Sequence, residues 1–80
     1  MAMSVNVRWL ASTLGVDTRT ARAALAAAQL TYRELIALGL RSRGASLYEI
    51  AEDDAIGDEH SASRLVNDAL DKIRGCGGRE

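Results

Sequence analysis

The stretch Leu10-Ala-Ser-Thr-Leu14-Gly15-Val16-Asp17-Thr-Arg-Thr-Ala21-Arg22-Ala-Ala-Leu25 decides how this chain folds. Trp9, Leu10 and Leu14 fall on one face at helical spacing. Gly15 follows where a chain leaving a helix needs a positive φ angle. Asp17 then offers a carboxylate to the backbone N–H groups two or three residues on, which starts a new helix. The stretch therefore predicts a helix over about Val7–Leu14, capped by Asn6 or Ser4, a tight turn, and a second helix over about Thr18–Gln29. Val16 is expected to plug the angle between them. Ala21, Leu25 and Ala28 face inward in this reading, while Thr18, Arg19, Thr20, Arg22, Ala23 and Ala26 face out.

Downstream, Thr31-Tyr-Arg-Glu34 and Ser46-Leu-Tyr-Glu49 are capping boxes, in which each hydroxyl and carboxylate satisfy the other residue's backbone donor. The first starts a helix reaching about Ser42, with Leu35, Leu38 and Ile36 inward, and Gly44 ends that segment. The second starts a short helix carrying Leu47, Ile50 and Ala51. A turn over residues 53–59 follows, with Ile56 as its apolar plug. Asp58 or Ser61 caps a last helix to about Arg74, whose stripe is Ala62, Leu65, Val66, Ala69, Leu70 and Ile73. Trp9 is read as core, and Tyr32 and Tyr48 as half-buried anchors.

The chain has 80 residues, 48% of them hydrophobic, with no Phe or Pro. Ala and Leu, both strong helix formers, make up much of that fraction. The expected class is all-α: a compact bundle of about five short helices containing helix-turn-helix units. It is one helical domain over 1–80, with a first unit at 6–29, a second at 30–74 and a flexible tail at 75–80. That length lies near the lower limit for a core without staples. The initial Met and glycine-rich tail read as a complete chain.

Cys76 is the lone cysteine, which excludes an intrachain disulfide and a zinc site of thiolates, and it reads as an incidental free thiol. No apolar run approaches the roughly 20 residues needed to cross a bilayer, and no signal-peptide pattern opens the chain, so a cytoplasmic protein with no membrane partner is expected. Asp53, Asp54, Asp58 and Glu59 lack the alternating ligands of a calcium loop. His60 is the only histidine and has no nucleophile in an evident triad with it. No metal, cofactor or catalytic role is expected.

Charge divides the chain. Residues 1–45 hold six arginines (Arg8, Arg19, Arg22, Arg33, Arg41 and Arg43) against Asp17 and Glu34, giving +4, whereas residues 46–80 hold four bases against nine acids, giving −5. A basic field supplies most non-specific affinity for nucleic acid, so a phosphate contact belongs to the first half.

Residues 11–25 resemble the helix-turn-helix of small bacterial transcription regulators. The resemblance implies that helix 18–29 is the recognition helix and that Thr18, Arg19, Thr20 and Arg22 point at double-stranded DNA. Arg can grip guanine as a fork or hold a phosphate, and Thr can meet a phosphate or a thymine methyl. Arg8, Arg41 and Arg43 join that set as phosphate contacts.

Residues 30–74 are similar to the four-helix domain of LuxR-type regulators and to the promoter-reading region of sigma factors. Leu30-Thr31-Tyr-Arg33-Glu34, Gly44-Ala-Ser46, Glu49-Ile50-Ala51 and Lys72-Ile73 carry the likeness. It implies a second set of DNA contacts at Ser61, Ser63, Arg64 and Asn67. The chain departs from the pattern at the turn, which counts one residue longer and is rimmed by Glu52, Asp53, Asp54, Asp58 and Glu59. Carboxylates so placed repel phosphate.

Two functions follow as expectations. The first is a small sequence-selective DNA-binding protein, a transcriptional regulator or a phage or plasmid accessory factor. It would act as a homodimer through the apolar stripe of the last helix, because one reading helix makes few base contacts. The alternative is a helical adaptor that binds no DNA and offers its acidic surface at 52–59 to a basic protein partner.

Overall fold

Each helix begins on a side chain that stands in for a missing backbone partner. The computed structural model describes residues 5–78 and contains α1 (Val7–Leu14), α2 (Thr18–Ala27), α3 (Tyr32–Ser42), α4 (Leu47–Ala51) and α5 (Glu59–Gly78). Asn6 Oδ1 accepts from the N–H groups of Arg8 and Trp9. Asp17 accepts from Thr20 N–H and Asp58 from Ser61 N–H, each at 2.7 Å. Both capping boxes close reciprocally, at Thr31 with Glu34 and at Ser46 with Glu49. These contacts satisfy donors in the first turn that no intrahelical carbonyl can reach. The protein is an all-α bundle, with five helices and no strand among the described residues.

α5 is the hub: it packs against α2, α3 and α4, while α1 packs against α2 and α3. One hydrophobic cluster draws on all five helices, with Leu10, Leu38, Ile50 and Ile73 as its largest fully buried side chains. Each such side chain stabilises the fold by about 1.5–3 kcal/mol relative to exposure. The radius of gyration, 11.8 Å, is close to the roughly 12 Å of a packed chain of this length. α2 contributes only small groups to the fully buried set, Ala21 and Ala24, with Ala28 just beyond its end and Leu25 half-buried.

Several sequence expectations are corrected. Val16 is 39% exposed and does not plug its turn; its N–H and that of Gly15 both bond Ala11 O, closing the end of α1 with Gly15 at φ 75°. α2 stops at Ala27, because Ala28 turns extended with ψ 136°. The tyrosines are not half-buried: Tyr32 is 71% exposed and Tyr48 64%. Tyr32 opens α3 ahead of its first core residue, and Tyr48 lies two positions before Ile50, nearly opposite it around α4. The supposed tail is helical as far as Gly78, since adding a residue to an existing helix costs far less than nucleating one. Trp9 and Leu14 are half-buried against the core rather than inside it. The alternative cap Ser4 and the end of the tail at Arg79 and Glu80 lie outside the described residues, as does the side chain of Cys76.

The apolar stripe on α5 is inside the molecule. Ala62, Val66, Ala69, Leu70 and Ile73 are buried by this chain's own helices, and Leu65 is half-buried. The surface expected to pair two copies through α5 is therefore already covered.

Among the described residues two polar side chains enter the interior, each hydrogen-bonded. Glu34, 5% exposed, accepts from Thr31 N–H at 2.9 Å and from Lys72 Nζ at 2.7 Å, which ties α3 to α5 across 38 residues. Burial opposes its ionisation, but the Lys72 hydrogen bond and charge, with the Thr31 donors, outweigh that and hold the carboxyl below its ordinary range. Ser42 Oγ accepts from Asn6 N–H and donates to Gly39 O, both at 2.8 Å, joining the start of α1 to the end of α3.

Candidate nucleic-acid interface

The geometry of the first unit begins with Gly15, whose left-handed conformation lets the chain reverse direction between α1 and α2. Asp17 fixes the first turn of α2, and hydrogen bonds from Thr20, its hydroxyl and then its N–H, hold the carboxyl below its usual range. α2 then lies with Ala21 and Ala24 inward against α1 and α5. Thr18, Arg19, Thr20, Arg22, Ala23, Ala26 and Ala27 are all exposed. α2 is held on one side and open on the other.

The arginines of the first half divide by what they touch. Among the described residues the guanidinium groups of Arg8, Arg19 and Arg22 make no hydrogen bond or ion pair, and all three residues are exposed. Arg41 is also exposed, but its Nη1 donates to Ala45 O at 3.0 Å and braces the end of α3. Arg43 is the C-cap of α3, exposed, with its N–H on Leu40 and Arg41 carbonyls. Arg33 Nε donates to Ala55 O at 2.7 Å, pinning the α4–α5 turn to the start of α3.

The second unit is organised differently. Of its expected contact residues, Ser61 and Arg64 line a hollow of about 220 Å³ together with Arg33, Leu65 and Asp68. Ser63 and Asn67 lie elsewhere around α5 and do not line it. The acidic rim is partly structural: Asp53 Oδ1 accepts from Ala55 N–H at 2.9 Å inside the turn, and Asp58 caps α5. The Ser61 N–H, foremost among several donors, holds the Asp58 carboxyl below its usual range. Glu52, Asp54 and Glu59 are exposed. Among the described residues no group of three or more His, Cys, Asp or Glu is placed to hold a metal ion, and no helix is long and apolar enough to cross a membrane.

Sequence reasoning missed two of these arrangements. Glu34 was legible as a cap but not as the partner of Lys72, and Arg33 was one of six arginines with nothing to mark its turn contact. Both pairings are set by tertiary packing, over separations of 38 and 22 residues, and no local spacing encodes them. Among known proteins, no family model, no curated protein and no solved structure matches this chain, so the two resemblances rest on the quoted residues alone.

Proposed function

We propose that this chain is a small sequence-selective DNA-binding protein, a transcriptional regulator or a phage or plasmid accessory factor, that reads duplex DNA with the outward face of α2. One observation carries the reading: Thr18, Arg19, Thr20 and Arg22 lie exposed on a short helix whose opposite side is anchored by Ala21 and Ala24. Arg19 and Arg22 have no partner among the described residues, so binding phosphate or guanine breaks no internal hydrogen bond. Arg8 adds a third unpartnered cation among those residues. Arg41 and Arg43 are secondary in this reading, since Arg41 already braces the chain at Ala45. Few side chains on α2 reach bases, so the reading calls for two copies on neighbouring half-sites.

A second reading is favoured by a different observation. Glu52, Asp54 and Glu59 stay exposed around the α4–α5 turn, where they suit a basic protein partner. One titration of the labelled protein separates the two. With duplex DNA, the DNA-binding reading expects amide shifts over residues 17–23. Shifts confined to 52–59 on adding a basic peptide, with none on adding DNA, would establish the adaptor instead.

A further inference from the structure

Arg33 and Arg64 approach one hollow from two different helices. It lies beside the start of α3 and the first turns of α5, and Ser61, Leu65 and Asp68 complete its lining. Arg33 arrives already oriented: its Nε donates to Ala55 O at 2.7 Å, which restrains the guanidinium plane and leaves its other N–H groups to meet a ligand. Arg64 makes no hydrogen bond or ion pair among the described residues, although Asp68, four residues on, shares the same lining. Ser61 lies at the edge of the lining with its hydroxyl already turned to the Asp58 carboxylate, and Leu65 supplies an apolar wall.

Two cationic forks meet one carboxylate in the lining, so it is rich in donors. Its volume of about 220 Å³ is several times that of one water, about 30 Å³. We infer that this hollow binds a phosphate group, carried on a small phosphomonoester or as free inorganic phosphate. Guanidinium forks match phosphate oxygens two at a time, and their hydrogen bonds are charge-assisted. Asp68 is the opposing charge: it weakens any anion bound beside it and thereby gives the site a signature. The site lies apart from the outward face of α2 and does not rest on the DNA reading.

The test uses the full chain, labelled for NMR, titrated at constant ionic strength with inorganic phosphate, a nucleoside 5′-monophosphate, or chloride. Saturable shifts of the Ser61, Arg64 and Leu65 amides and of Arg33 Nε–H are expected with the phosphates and not with chloride. Tighter binding of the monophosphate would assign the site to an ester, and equal binding to the free ion. Arg64→Gln should weaken binding at least about tenfold, as removal of a charge-assisted hydrogen bond implies. Asp68→Asn should tighten it. Arg33→Gln should also weaken it, with circular dichroism showing whether the turn at Ala55 survives; Arg64→Gln disturbs no internal hydrogen bond and decides the matter if it does not. Phosphate shifts no larger than those with chloride, or affinity indifferent to both Arg64→Gln and Asp68→Asn, would overturn the proposal.

Discussion

Val16 and Ile56 are the apolar residues of the two turns, yet Val16 is 39% exposed and Ile56 only 5%. The difference extends to the polar groups around them. In the second unit Arg33, Arg41, Asp53, Asp58, Glu34 and Lys72 all bond within the chain. In the first, Asn6 and Asp17 serve as caps, while the guanidinium groups of Arg8, Arg19 and Arg22 have no partner among the described residues. The two turns thus differ in how their surrounding side chains are used. One is stitched together by its own side chains, and the other holds its helix from behind and leaves the outer face open.

The largest effect tests whether both units share one core. Ile73, fully buried on α5, belongs to the cluster that joins all five helices. Ile73→Ala should cost about 2–5 kcal/mol and lower both units together in a single denaturant transition. Separate transitions for amides of α2 and α4 would split the molecule into two folding units. Next, Ile56→Ala should cost about 2–4 kcal/mol, because it opens a cavity beneath the second turn.

Glu34→Gln follows, with an expected loss of about 1–2 kcal/mol at neutral pH, set by a charge-assisted bond to a partly exposed lysine. The folded carboxyl titrates below its ordinary range, so its contribution is complete above about pH 5 and fades as pH falls through the lowered value. The gap between wild type and Glu34→Gln in urea melts should therefore narrow on acidification and stay constant from about pH 6 to 8. A gap that widens toward acid would reverse the assignment. Val16→Ala should do least, within about 0.5 kcal/mol, as expected of a mostly surface side chain. A loss equal to that of Ile56→Ala would erase the contrast between the turns.

What the sequence disclosed was mostly local. The caps Asn6, Asp17, Thr31, Ser46 and Asp58 act within three residues of themselves, and each is found where its residue type predicts. The stripe on α5 was equally legible, since Ala62, Val66, Ala69 and Ile73 repeat at helical spacing. Exposure was harder to read. Tyr32 and Val16 sit at helix ends, where burial depends on which neighbour arrives and not on periodicity. The outward face of α2 was readable from the spacing of Ala21, Leu25 and Ala28, although Ala24 is buried in place of the half-buried Leu25, whereas the hollow at Arg33 and Arg64 needed two helices brought together.

The most direct test of the α2 reading compares the wild type with Arg19→Ala plus Arg22→Ala for duplex DNA binding at two salt concentrations. Both side chains are exposed and lack partners among the described residues, so stability should change little. The reading predicts weaker binding and a salt dependence shallower by about two counterions, roughly 0.9 for each phosphate that is no longer neutralised. Equal affinity and an equal slope for the double variant would remove α2 from any nucleic-acid interface.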